Sequence, residues 1–392
     1  AAVALVGLSV IPGMPKFSFL VIAGLLGAAA YANRESAAPK VEEVEAPTPA
    51  AEAADQPPVI DPLSVEIGYA LVGIADEKQG GTLLSRVRAI RRQIATETGV
   101  VVPPVHVADN LQLGPRTYSI LVKGVEVSRG ELYPERFLAI NPGTATVSVE
   151  GLATREPAFG LPAVWVTSEH REKAAAAGYT VVDPTTALST HLSETVRSFL
   201  PDLLGRQQTK ELVDRVGQTS PKLVEELVPK LATLGDIQRV LRQLLRERVP
   251  IRDLTTILEA IADAAGASKD PDVMVEAVRA AIGRAICKPF QNDKGELAAI
   301  SLAPSLESML VQSLVRTDHG AVLALDPGHA QRLATRIADV LAGAVAQPVL
   351  LCSPTLRPHL WRLFARVLPH LGVLSHNEVP SHLQIASVAV LD

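Results

Sequence analysis

The first 58 residues constrain everything after them, because two apolar runs around a turn are followed by a stretch too poor in apolar side chains to order itself. Residues 1–11 are almost wholly apolar, Pro12-Gly13-Met14-Pro15-Lys16 makes a turn, and residues 17–32 carry no charge. The second apolar run is 16 residues long, slightly under the ~20 that cross a bilayer. A secretory leader would carry a positive n-region and a single apolar stretch, whereas here two runs flank a turn. The expectation is a partial transmembrane hairpin over 1–33, entered partway through its first helix. Arg34 weakly favours a cytoplasmic exit. Residues 34–59 then shift to Ala, Pro and Glu, a composition too poor in apolar side chains to order itself, which predicts a flexible acidic linker. A globular fold can begin only near residue 60.

From there the pattern is mixed. Leu63, Val65, Ile67, Tyr69 and Leu71 alternate with small or polar residues, which predicts a half-buried strand. Leu83, Val87, Ile90 and Ile94 recur at helical spacing after Gly80-Gly81-Thr82, and Gly99 stops the helix. Its other face carries Arg86, Arg88, Arg91 and Arg92, read as a solvated face or a docking surface for an acidic partner. Tyr118–Val122, Lys123-Gly124 and Val125–Val127 read as a hairpin. Ile237, Val240, Leu241, Leu244 and Leu245 form one amphipathic stripe, and Leu254, Ile257, Leu258, Ile261 and Ala262 repeat it. Pro250 breaks the chain between them and Asp253 is placed to cap the second helix. Further helices are predicted over Leu204–Val216 and Asp270–Ile286. The last hundred residues return to strands and helices: helices over Ser305–Val315, Ala330–Ala342 and Arg357–Val367, and strands over Val322–Leu325, Pro348–Cys352 and Ile385–Leu391.

Composition narrows the chemistry. A net charge of −5 argues against a nucleic-acid surface. Cys287 and Cys352 lie far apart without metal spacing and read as small buried hydrophobes. No phosphate-binding loop, dinucleotide fingerprint, zinc-protease motif or nucleophile elbow occurs. Ser189, His191 and Glu194 are close in sequence, but Ser189 and His191 sit two apart on a helix and point away from each other. His376 and His382 lack a third ligand. No catalytic residue, metal site or cofactor is expected. A membrane-anchored α/β enzyme stands as the alternative of another class, but it needs convergent polar groups that the sequence does not offer.

The most informative stretch runs from Arg155 to Leu192. A Pro–aromatic–Gly turn, Glu156-Pro157-Ala158-Phe159-Gly160, is followed by an apolar strand, Leu161–Val166. An Ala-rich helix over Glu169–Ala177 ends at Gly178, and a second strand spans Tyr179–Val182. Asp183 or Thr185 is placed to cap a helix carrying Thr190-His191-Leu192. Phe159 sits in a turn where no periodicity asks for an apolar side chain. It is either a loop residue folded onto a local core or an aromatic anchor for a partner.

The segments E-P-A-F-G-L-P-A-V-W-V (156–166), G-Y-T-V-V-D (178–183) and T-H-L-S-E (190–194) resemble the FlhA family of flagellar type III export-gate proteins. The likeness extends to Glu66-Ile67-Gly68-Tyr69, Ile90-Arg91-Arg92, Val101-Val102-Pro103-Pro104, Asp109-Asn110-Leu111, Tyr118-Ser119-Ile120 and Leu374-Ser375-His376-Asn377-Glu378. It implies an α+β multidomain chain: the hairpin and linker, then four small cytoplasmic subdomains. These are a first α/β part over 60–134 with 184–203, an inserted small α/β part over 135–183, a helical part over 204–283 and a C-terminal α/β part over 284–392. It further implies a platform in the bacterial inner membrane that docks export substrates and chaperone–substrate complexes and passes them to the export channel. The implied partners are those complexes, other export-gate membrane proteins, the export ATPase complex, the lipid bilayer and further copies of the chain in a nonameric ring. Injectisome export gates share this architecture and are the nearest alternative. The residues that the resemblance assigns to chaperone binding are Glu156, Phe159 and Thr190. At Glu156 the family often has Asp, so the charge survives on a reach one methylene longer. Gly68, Gly160 and Pro250 read as structural, Gly68 through close backbone packing.

Overall fold

The computed structural model describes residues 60–76, 80–143, 145, 147–317, 320–344 and 347–392. The expected hairpin and linker lie outside the described residues. Residues 60–392 form one compact unit. No helix among the described residues is long and apolar enough to cross a membrane.

The first sheet has the order β2-β1-β3-β4, built from β1 (Leu63–Ile67), β2 (His106–Asp109), β3 (Thr117–Val122) and β4 (Val125–Glu131). β1 pairs parallel with β2 and antiparallel with β3, Val65 lying opposite Ile120. The alternation ends earlier than the sequence suggests. At Gly68 the backbone passes so close to the next segment that a Cβ would sit 2.1 Å from the Gly114 carbonyl oxygen. The chain turns there, and Tyr69–Leu71 form a helical turn instead of extending the strand. Helix α1 (Leu83–Thr98) buries Leu83, Val87 and Ile94 and stops at Gly99, whose φ of +85° suits a residue without a Cβ. On its basic face, Arg86 donates to Thr186 Oγ1 and Arg91 donates to the Val102 carbonyl, so two of the four arginines serve the fold. The β3–β4 turn has both Lys123 and Gly124 at positive φ, the geometry that matches strand twist in a two-residue hairpin.

The second sheet, order β6-β7-β5-β8, is antiparallel throughout: β5 (Phe137–Ile140), β6 (Leu152–Arg155), β7 (Pro162–Val166) and β8 (Thr180–Val182). Helix α2 (Arg171–Ala176) packs on it over a small core of Ala139, Val166 and Ala174. Asp183 then caps α3 (Pro184–Leu203) by accepting the Thr186 N–H at 2.9 Å.

The helical region comprises α4 (Arg206–Thr219), α5 (Pro221–Glu226), α6 (Leu234–Arg246), α7 (Leu254–Ala267), α8 (Pro271–Ala281) and α9 (Gly283–Cys287). The predicted stripes on α6 and α7 are the buried faces, and Asp253 caps α7 through Thr256. Pro250 lies in the break between them. The single helix expected over Asp270–Ile286 is interrupted at Ile282, because Gly283 packs against the Glu378 backbone at a distance where a Cβ would clash.

The third sheet is all parallel, order β13-β12-β9-β14, from β9 (Leu297–Leu302), β12 (Val349–Cys352), β13 (Val373–Ser375) and β14 (Ile385–Leu391). Helices α10 (Pro304–Gln312), α11 (Pro327–Gly343) and α12 (Arg357–Phe364) accompany it. α10 ends three residues before the sequence suggests, since Leu314–Thr317 pair as β10 with β11 (Gly320–Leu323). β12 is buried along its whole length, as expected of a parallel strand covered on both faces. Both cysteines are buried and free.

Candidate functional site

The Glu156–Gly160 turn joins β6 to β7, whose register brings Arg155 opposite Pro162. Glu156 N–H donates to the Leu161 carbonyl at 2.8 Å, and Gly160 N–H to the Glu156 carbonyl at 2.9 Å. Gly160 has φ +69°, a conformation that costs an L side chain. Arg155 steadies the exit by donating to the Gly160 carbonyl.

Glu156 does not face solvent. Its side chain folds back over its own turn, where one carboxylate oxygen accepts the Ala158 N–H at 2.9 Å and the other the Phe159 N–H at 2.7 Å. Both oxygens are thus engaged within the turn, and the residue is 2% exposed. Phe159 is the opposite case. It is 55% exposed, so it is not a loop residue folded onto a local core. A buried carboxylate thus fixes the backbone that presents an outward aromatic ring.

Thr190 is half-buried on α3. Its neighbour His191 turns inward, with Nδ1 2.6 Å from the Tyr118 hydroxyl and Nε2 2.5 Å from Ser128 Oγ. Burial pushes the His191 pKa down to about 4, so the ring is neutral at pH 7. A neutral imidazole has one N–H, so one hydroxyl accepts and the other donates. Burial also raises the Tyr118 pKa, and the Glu156 charge adds to the rise. Glu156 and Phe159 are joined directly by a hydrogen bond, whereas Thr190 lies on a different element, α3.

Ser189, His191 and Glu194 make no hydrolytic relay. His191 is taken up by Tyr118 and Ser128, and Glu194 pairs with Arg197 and Arg248. No cluster of three or more His, Cys, Asp or Glu fit to hold a metal occurs among the described residues.

A second polar constellation has no counterpart in the sequence reading. Arg357, fully buried, bonds Glu276 and Glu247, and Arg279 bonds Glu247 at 2.8 Å and Glu378 at 2.6 Å. Glu378 also closes a capping box by accepting from the Ser375 N–H and hydroxyl. The Ser-x-x-Glu spacing within 374–378 was the one sequence signal for this cluster. It ties α6, α8, α12 and the segment after β13 together. Glu276 is held above the ordinary carboxylate range because its desolvation outweighs its arginine neighbours.

The chain matches the FHIPEP family over residues 1–384. The flagellar biosynthesis protein FlhA of Yersinia enterocolitica is 41% identical over 393 residues, covering 98% of this chain and 56% of its own length. The chain therefore spans a little over half of that relative. Among solved structures, the Chlamydia pneumoniae CdsV protein superposes with a TM-score of 0.75 at 24% identity, over 86% of this chain and 100% of that one. The nonameric EPEC SctV-C gives 0.72 at 20% identity, over 86% and 100%. These two likenesses establish the fold.

Proposed function

The chain belongs to the FHIPEP family, and from that membership we propose that residues 60–392 are the docking platform of a flagellar type III export gate. In this reading the platform receives export substrates and chaperone–substrate complexes and passes them to a channel in the bacterial inner membrane. Its further partners are other export-gate membrane proteins, the export ATPase complex and copies of itself arranged in a ring. The nonameric state of SctV-C supports the ring. The name of the Yersinia relative favours the flagellar system over the injectisome. The folded region is read as four parts, 60–134 with 184–203, 135–183, 204–283 and 284–392. In support, each four-stranded sheet closes within one of these ranges.

One observation carries the proposal: an aromatic side chain stands exposed on a turn whose backbone is clamped from inside. An anchor held in its bound geometry loses less entropy on association, which is how a small patch comes to dominate affinity. Phe159 inserts into an apolar notch on the chaperone, Thr190 supplies a polar contact, and Glu156 acts through Phe159 by holding its turn. No bond is made or broken. The test is calorimetric titration of the chain with a flagellar export chaperone carrying its filament-type substrate, beside the Phe159→Ala variant. Binding that is lost in the variant supports both function and site. Equal binding by the two proteins removes Phe159 from the site, and no binding by either overturns the chaperone reading.

A further inference from the structure

A trough of about 1020 Å3, open to solvent, lies between α7, α9 and the segment after β13. Ile282, Pro250, Val379 and Pro380 give it apolar walls, and the exposed Arg252, Arg284 and Lys288 stand around it. Arg252 and Arg284 have no ion-pair partner among the described residues, and Lys288 donates to Gln291 Oε1 at 3.2 Å, a neutral acceptor. Two acids also line it, and they offset only part of this charge, since Glu378 is paired with Arg279 and Asp253 alone keeps a carboxylate unpaired among the described residues. Asp253 is engaged in capping α7, and Glu378 turns its carboxylate away to Ser375 and Arg279, leaving its backbone carbonyl toward Gly283. A chain of net charge −5 thus carries a local trough in which three cations, Arg252, Arg284 and Lys288, outnumber the one unpaired carboxylate, Asp253. Like charges gathered in a groove repel one another and draw in a ligand of opposite sign.

A smaller hollow of about 220 Å3 shares Pro250, Ala285 and Pro289 with the trough and is lined by Phe290 and Trp361. Cations followed by an aromatic-lined hollow specify both a charge and a shape. We propose that the trough binds an acidic, extended peptide segment of a partner protein. Its carboxylates pair with Arg252, Arg284 and Lys288, and one apolar side chain enters the Phe290–Trp361 hollow. A peptide fits better than a nucleic acid, because the trough walls are aliphatic and proline-lined where single strands require stacking platforms along a basic track. The site involves neither Phe159 nor Glu156, so it stands or falls apart from the chaperone reading.

The test is fluorescence anisotropy with the full chain. The probes are a labelled Asp/Glu peptide with one central Leu, its Lys-substituted counterpart, and a labelled oligo-dT. The acidic peptide is expected to bind at low salt and weaken as salt rises, with Kd increased roughly tenfold or more in Arg252→Glu/Arg284→Glu. Phe159→Ala should bind as the parent does. Both substituted arginines are exposed, and an Arg252→Gln/Arg284→Gln protein serves if the reversal lowers the melting temperature. Absence of acidic-peptide binding at low salt, equal affinity in the charge variants, or tighter binding of the Lys peptide or of oligo-dT overturns the proposal.

Discussion

The carboxylate of Glu156 accepts the backbone N–H of Phe159 at 2.7 Å, so the buried charge of the turn fixes the exposed ring beside it. Replacing Glu156 with Ala leaves two N–H groups without their acceptor, a loss of about 1–3 kcal/mol where such groups stay buried. Glu156→Ala should speed hydrogen exchange at Ala158 and Phe159 and weaken chaperone binding while Phe159 itself is intact. Unchanged exchange at those two amides would show that the clamp does not hold the turn.

Phe159→Ala should separate stability from binding. The ring is more than half exposed, so thermal unfolding should shift little, as for most surface substitutions. Truncating an aromatic anchor costs about 2 kcal/mol or more of binding. Calorimetry beside a melting curve checks both halves.

His191 gives the fold a defined pH dependence. Its pKa falls from 6.5 to about 4 on folding, so the unfolded chain takes up the proton first as pH drops. The stability it contributes is complete above about pH 6.5 and is lost as pH falls toward 4. The full span is on the order of 3 kcal/mol. Urea midpoints measured from pH 7 to 4.5 should fall more steeply in the parent than in His191→Gln. Parallel curves would mean that the ring is not held neutral by burial.

Arg357 is the group whose removal should do most damage. It lies fully buried between Glu247 and Glu276, and removing it takes the ion-pair partner from Glu276 and leaves Glu247 with Arg279 alone in a low-dielectric interior. Breaking a buried pair from one side costs about 3–5 kcal/mol. Arg357→Ala should therefore unfold at markedly lower urea. Glu276→Gln should cost far less, because burial already disfavours its charged form.

Gly68→Ala has no room for its methyl group. The added Cβ would meet the Gly114 carbonyl at 2.1 Å, a backbone atom that cannot rotate aside. Destabilisation of about 1–3 kcal/mol is expected from such overpacking. Gly160→Ala meets no atom within 4 Å and carries only the left-handed backbone penalty, about 1 kcal/mol. A melting comparison of the two variants distinguishes a steric glycine from a conformational one.

What was legible in the sequence is what local chemistry determines. The stripes on α6 and α7, the Gly99 stop, the Asp253 cap and the Lys123-Gly124 hairpin each depend on neighbouring residues. β9 and β13 left no usable pattern. β9, Leu-Ala-Ala-Ile-Ser-Leu, is covered on both faces, so it lacks the alternation by which a half-buried strand is recognised. The alternation from Leu63 runs past the end of the strand because Gly68 turns the chain through a contact with distant Gly114, which no periodicity encodes. At the candidate site, the exposure of Phe159 was one of two readings open from its place in a turn. The inward fold of Glu156 was not legible, since a carboxylate clamping its own turn and one offered to a partner have the same sequence. Arg279, Arg357, Glu247 and Glu276 are scattered along the chain and meet only through tertiary packing.

The parallel sheet also sets an order of events during synthesis. β9 pairs on one side with β12 and on the other with β14, the last strand of the described chain. As the chain emerges from the ribosome, one edge of β9 waits through two helices for β12 and the other through three for β14. Non-local strand pairing is slow, and unpaired edges invite association with other chains. The stretch from β9 to β14 is therefore where a nascent chain is most open to association with other chains, and loss of β14 should yield aggregates in place of a folded sheet.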